Sequence, residues 1–293
     1  MSRTAIVTLC ILLGCCMPTL GEAAPIPAGI IAALRGPAKT VTVVRNGEAC
    51  VPEVGFLLYA GDRVVVTDPG TTVQVGLFDG RAPLEIDKDT AATHGLIEAG
   101  GQPPSFMDNL LHWLAKRLPQ KESVKLAALV TRGSDALILS ATRPDKQWLA
   151  DGKRDLAVAW RGGEGPYGVR LSRVEGGQST LLAQQSDLER EETTLAGVAL
   201  SPGTYRLEVT GKTQRGAAEL CVVPQSKRPG MPAEIASTQL AANIRELLYI
   251  AWLQGRDGWK FEAMQQAAQA SRTNPAATRI LHAMEAGVGE FLN

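Results

Sequence analysis

The sequence predicts a mainly β protein with a helical C-terminus. Three observations carry that class. Short β-branched runs alternate with Gly- and Asp-bearing turns over 40–90 and again over 135–224. An amphipathic stretch, 103–120, lies between the two β regions. Beyond residue 233 the apolar residues recur at helical spacing. The expected order is a signal segment 1–23, a β domain 24–100, a connector helix 101–128, a β-sandwich 129–226 and a helical subdomain 233–293. A chain of 293 residues exceeds one average domain.

The leading segment has one early charge, Arg3, and a nearly all-apolar stretch over 5–20. Gly21-Glu22-Ala23 puts small residues at both cleavage subsites, so export with cleavage after Ala23 is expected. The apolar stretch is short for a membrane-spanning helix. Leu12-Leu13-Gly14-Cys15 resembles a bacterial lipoprotein box, which makes lipidation at Cys15 the alternative. The address is therefore periplasmic or secreted, or anchored through Cys15. Cys10, Cys15 and Cys16 lie in this segment, which leaves Cys50 and Cys221 for the mature chain. An exported protein can pair them, but the expected state is two small thiols in packed surroundings.

The first β region reads as a meander. Strands are expected at 40–44, 54–58, 63–67, 72–78 and 82–86, separated by Asn46-Gly47, Gly61-Asp62, Asp68-Pro69-Gly70 and Asp79-Gly80. Val73, Val75 and Leu77 fall on one face of their strand, and Thr72, Gln74 and Gly76 on the other. Asp62 and Asp79 are expected to be turn carboxylates that accept hydrogen bonds from nearby backbone. A catalytic role for Asp62 would want a second titratable group in view, and no histidine precedes His94.

The segment "GDRVVVTDPGTTVQVGLFDGRAPLEI", 61–86, resembles the core of a FecR-like domain: a Gly-Asp corner, a β-branched strand ending in Thr, an alternating strand, then Asp-Gly and a further strand. "GEACVPEVGFLLYAGD", 47–62, fits the segment before it. The resemblance implies an extracytoplasmic β module without catalytic residues. The regulators that name the family carry an anti-sigma segment and a transmembrane helix ahead of the module. The leading segment here is far shorter than both together, so contact is expected rather than a relay across a membrane.

Pro103-Pro104 opens the connector, Ser105 can cap it, and Pro119 stops it. Phe106, Leu110, Trp113, Leu114 and Leu118 form its stripe, with Lys116 and Arg117 near its end. A strut between domains is expected rather than a membrane-surface helix, which wants a basic face. His112 has no second ligand at helical spacing.

The second β region offers seven strands, at 136–140, 156–161, 167–173, 180–183, 193–200, 204–210 and 217–223, which suggests a sandwich. Trp160 ends one strand and Tyr167 begins the next. "LSPGTYRLEV", 200–209, resembles the Pro-Gly-x-Tyr approach to a late strand of immunoglobulin-like and fibronectin-type domains, with Tyr205 placed for a tyrosine corner. Gly162-Gly163-Glu164-Gly165 lacks the Gly-Lys-Ser/Thr ending of a phosphate loop and is read as a hairpin loop. "SDLEREE", 186–192, lacks the spacing and central Gly of a calcium loop and is read as a solvated loop.

After a Pro- and Lys/Arg-bearing linker, 225–232, one long helix is expected over 236–254 with Leu240, Ile244, Leu247, Leu248 and Ala251 on one side. Helices over 259–271 and 276–286 follow. The layout resembles one tetratricopeptide-like unit, too little for a solenoid core. It is expected to pack on the sandwich or to dock another protein.

Lys+Arg and Asp+Glu are both 30, and aromatic residues are 5%, which argues against nucleic acid as a partner. His94, His112 and His282 fall in three separate segments, and no hydrolase, zinc-protease or P-loop motif is present. No catalytic, cofactor-binding or metal-binding residue is assigned. The expected function is a non-enzymatic binding or scaffold module of a bacterial envelope, in sensing or assembly. An envelope protein is the first expected partner and a polysaccharide the second. The alternative is an envelope hydrolase in which two carboxylates converge on a glycan, marked by a raised pKa on one of them.

Overall fold

The computed structural model describes residues 26–98, 100, 105–118, 136–142 and 146–287. The leading segment with Cys15, all of 119–135 and the last six residues lie outside them. The chain is mainly β, with its helices gathered toward the C-terminus. No helix among the described residues is long and apolar enough to cross a membrane.

The first β unit contains seven strands. Four form one sheet in the order β4 (Leu57–Leu58), β1 (Gly29–Arg35), β6 (Thr72–Leu77), β7 (Leu84–Ile86). Three form another in the order β3 (Glu48–Cys50), β2 (Val41–Arg45), β5 (Arg63–Val66). Ile31, Val41, Val43, Val64, Val73, Val75 and Ile86 close the core between them. Val73, Val75 and Leu77 point inward as their alternation requires. The short helix α1 (Ala91–His94) follows.

Strand β1 was not legible from alternation because both of its faces are covered. Ile31 enters the core of this unit, while Ile30 and Ala32 join the larger core beneath the helices. A strand buried on both sides reads as an unbroken apolar run.

Helix α2 (Ser105–Arg117) packs against the C-terminal helices. Met107, Leu110, Leu111, Leu114 and Leu118 are its buried residues, at three- and four-residue spacing. The expected stripe is thus rotated: Leu111 takes the deep position and Trp113 is only half-buried. The side chains of Ser105, Phe106, Lys116 and Arg117 are outside the described set.

The second β unit is built from two sheets. One sheet has the order β13 (Glu192–Leu200), β10 (Gly152–Arg161), β8 (Ile138–Leu139). The other has the order β12 (Gln178–Leu188), β11 (Tyr167–Glu175), β14 (Gly203–Thr210), β15 (Arg215–Val223), β9 (Lys146–Ala150). Trp160 is buried edge-on to Tyr167, with ring centroids 5.3 Å apart. Tyr205 makes the expected corner: its hydroxyl donates to the Ser201 carbonyl at 2.8 Å and accepts from the Ser201 N–H at 3.0 Å. Strand β9 is an addition to the expected seven and pairs parallel to β15. The loop around Gly163 joins β10 to β11, and the Lys212 ammonium meets Glu164 at 2.5 Å. Cys50 and Cys221 are both free thiols.

Four helices follow: α3 (Ala233–Ala236), α4 (Ala242–Gln254), α5 (Lys260–Ala270) and α6 (Pro275–Glu285). The single long helix expected over 236–254 is two, α3 and α4. The chain leaves helical geometry between them and lays Leu240 on Gly76 of β6, where a Cβ would stand 2.8 Å from Leu240 Cδ2. Tertiary packing overrides helix propensity here. Asn274 caps α6 by accepting from the Ala276 N–H at 3.1 Å.

Helix α4 buries Ile244, Leu247, Leu248, Ile250 and Leu253, more than one face of a surface helix can supply. One hydrophobic cluster runs from Ile30, Leu57 and Phe78 of the first unit through α2 and the helices to Leu149, Leu156 and Val222 of the sandwich. The tail packs on both β units at once. Its inner faces are core, not a surface held out for docking.

Candidate functional site

Asp62 is only 1% exposed and does more than close a turn. Its carboxylate accepts from Arg45 Nε at 2.8 Å, from Arg45 Nη2 at 2.5 Å and from the Tyr59 N–H at 2.9 Å. The Arg45 guanidinium also donates to the Leu57 carbonyl and lies 4.4 Å from the centre of the Tyr59 ring. A forked, two-point pairing of this kind fixes geometry as well as charge. The expected backbone bond is present, and the half-buried arginine partner is what the sequence did not disclose. The pair ties β2 to the corner before β5. Asp79 holds the neighbouring turn, accepting from the Arg81 N–H at 3.1 Å and from Arg81 Nε at 2.6 Å. Both carboxylates are structural.

The cleft with the most varied chemistry lies where α5 and α6 meet the β10–β13 pair. It has a volume of about 850 Å³. That is the size of a small-molecule or peptide site, and junctions between structural units are where such sites favour forming. Arg154, Ala157 and Gln265 line it, and buried polar contacts hold them from behind. Glu262 of α5, fully buried, accepts from the Ala150 N–H at 3.1 Å and from Arg154 Nη1 at 2.9 Å, with Arg228 Nη1 at 3.6 Å. Gln265 bonds Ala157 twice: its carbonyl accepts from the Ala157 N–H at 2.8 Å and its amide donates to the Ala157 carbonyl at 2.9 Å. A helix side chain thereby occupies hydrogen-bonding positions that a neighbouring strand would fill. Gln147 of β9 accepts from the Phe261 N–H at 3.2 Å, at the start of α5.

One end of the cleft carries Lys153, with Asp155 and Arg272 paired at 2.7 Å. The N–H of Gly197, then Arg272, hold the Asp155 carboxyl below its ordinary range. The other end carries Arg190, Glu192, His282 and Glu285. Burial, then the charge of Glu192 and a hydrogen bond with it, push the Glu285 carboxyl up to about 7. The Ser140 hydroxyl donates to the Glu285 carbonyl at 2.6 Å and pins this end of α6 to the sandwich.

The sequence reading assigned no site, and it placed Arg190 and Glu192 in a solvated loop. Both border this cleft. Glu192 and Glu285 come from distant segments, and no local spacing announces such a meeting. His94 and His112 lie elsewhere, on α1 and α2, and only His282 borders the cleft. No group of three or more His, Cys, Asp or Glu among the described residues could hold a metal ion.

No family model and no curated protein matches the chain. Among solved structures it is similar to CopC from Methylosinus trichosporium OB3b, at 19% identity and a TM-score of 0.24, over 31% of this chain and 96% of that one. It is also similar to the N-terminal four immunoglobulin domains of Dscam1 isoform 6.9, at 8% identity and a TM-score of 0.24, over 67% of this chain and 44% of that one. Overlaps this low decide neither family nor function.

Proposed function

We propose that the protein is an exported, non-enzymatic binding or scaffold protein of a bacterial envelope, working in sensing or assembly. An envelope protein is its partner, with a polysaccharide as the second candidate. Its first unit is read as a FecR-like module, because the Gly61-Asp62 corner joins β4 to β5 and the Asp79-Gly80 turn joins the paired β6 and β7. The helices α4 and α5, followed by Asn274-Pro275, keep a tetratricopeptide-like layout. Export is read from the leading segment, with anchoring through Cys15 as the alternative. Mass spectrometry of the mature N-terminus separates the two, and a retained Met1 on the cellular protein contradicts both.

The observation that carries the binding reading is strand β12. It ends the five-stranded sheet, bears no charge from Gln178 to Ser186, and exposes Leu181 and Leu182. Proteins that stay clear of partners usually guard such an edge with Lys, Pro or a short strand. An unguarded edge suits a partner that adds a strand. A photo-cross-linker placed at residue 179, exposed on the same strand, should capture one envelope protein. Leu181→Asp with Leu182→Asp should abolish that capture while the fold persists. Unchanged capture by the double variant rules the edge out.

The hydrolase reading has one observation in its favour, the Glu192–Glu285 pair with its raised carboxyl. Glycosidases keep their two carboxyl groups about 5–5.5 Å or about 6.5–9.5 Å apart, which leaves room for the sugar or for water. The raised carboxyl alone, without a glycan subsite around it, carries the hydrolase reading less far than the β12 edge carries the binding one. Turnover of a cell-wall glycan that stops in Glu285→Gln would reverse the order.

A further inference from the structure

The cleft between the helices and the sandwich is elongated. Lys153 stands opposite Ala199 near one end of the β10–β13 pair, and Ala159 stands opposite Glu192 near the other. Six residues of strand separate the two positions, or about 20 Å. Among the lining cations, Arg154 is held by Glu262 and Arg272 by Asp155. Lys153 and Arg190 have no carboxylate partner among the described residues, and they lie toward opposite ends. Between them lie neutral donors and acceptors, Thr194 and Gln269. Among the described residues no Phe, Tyr or Trp borders the cleft, so a sugar ring finds none of the broad faces it usually stacks on.

We propose that this groove binds an extended acidic peptide segment, with Lys153 and Arg190 holding carboxylates toward its two ends. An extended chain advances about 3.3–3.6 Å per residue, so about six residues span the groove. The proposal rests on reading the protein as one that works by contact, but not on the β12 edge.

The site is coupled to protons at the Arg190 end. Glu285 of α6 faces Glu192 of β13, with Arg190 and Glu191 in the turn before that strand. His282 lies on the same helix, and the Arg161 guanidinium of β10 lies against Gly287 just beyond it. Below about pH 7 the Glu285 carboxyl holds its proton and adds no charge to the groove. Above it that carboxyl is charged and repels an acidic ligand. Acidic peptide therefore binds more tightly at low pH.

Isothermal titration calorimetry of the full chain with hexaglutamate, hexalysine and oligogalacturonate tests this. Hexaglutamate should bind at about pH 6 and about tenfold more weakly at about pH 8, one charge of repulsion being worth a factor of that order. Glu285→Gln should remove most of that ratio. Lys153→Glu with Arg190→Glu should abolish binding. Should that pair fail to fold, Lys153→Ala with Arg190→Ala should weaken binding several-fold. Leu181→Asp with Leu182→Asp should leave hexaglutamate binding intact, so the groove and the β12 edge fail separately. The proposal is overturned if hexaglutamate does not bind, if hexalysine or oligogalacturonate binds more tightly, or if the affinity does not change with pH.

Discussion

Against the first β unit, the helices pack through small residues and single polar tethers. Gly55 lets α6 approach so closely that any Cβ there would overlap Ala276, and Gly76 does the same for Leu240. Asn243 Nδ2 donates to the Ala32 carbonyl at 2.9 Å, and Arg279 Nη2 donates to the Val54 carbonyl at 2.8 Å. Against the sandwich, α5 packs through Glu262 and Gln265, side chains that stand in for absent backbone partners. The first contact is limited by size and the second by hydrogen-bond geometry. The groove lies beside the second.

The largest expected effect tests the polar side. Glu262→Ala removes the carboxylate that Arg154 and Arg228 face and should cost about 3–5 kcal/mol, read from urea unfolding. Gly55→Ala comes next, at about 2–4 kcal/mol. It forces a side chain onto a backbone with φ of 85° and into Ala276. Ala276→Gly should recover the steric part of that loss. Gln265→Leu keeps the volume but orphans the Ala157 N–H and carbonyl, and should cost about 2–3 kcal/mol. If Gln265→Leu proves neutral while Gly55→Ala remains costly, the polar contact is not what seats α5, and the comparison breaks.

The smallest effect depends on pH. Glu285 holds its proton more tightly folded, at about 7, than the usual carboxylate value of the unfolded chain. Its contribution is therefore complete below the unfolded value and is lost as pH rises through about 7. Because the group is partly open to solvent, the loss should be only about 1 kcal/mol. Glu285→Gln should remove this slope from a stability profile over about pH 4–8. An unchanged slope means that the pair does not share a proton.

These contacts also explain what could be read from the chain. Turns at Asn46-Gly47 and Asp79-Gly80, the inward set Val73, Val75 and Leu77, and the Tyr205 corner were legible, because each is a local pattern with a local cause. Strand β1 was not, because its second face is covered by helices far along the chain. The α3–α4 break was not, because it is set by Gly76. Asp62 could be placed at a corner from Gly61-Asp62, but its partner Arg45 sits across the sheet. Nothing of the groove was legible. Its walls come from segments joined only by folding, and Glu192 lay in a run of charges that reads as solvated.

Central to this account is that the helices form one core with both β units and so hold the groove and the β12 edge in a fixed frame. Differential scanning calorimetry of the mature chain tests it most directly. The shared cluster from Ile30 to Val222 predicts a single transition, with calorimetric and van't Hoff enthalpies in agreement. Glu262→Ala and Gly55→Ala, on opposite sides of the helices, should both lower that same transition. Two resolved transitions, with Gly55→Ala moving one and Glu262→Ala the other, would contradict the shared core and the rigid frame built on it.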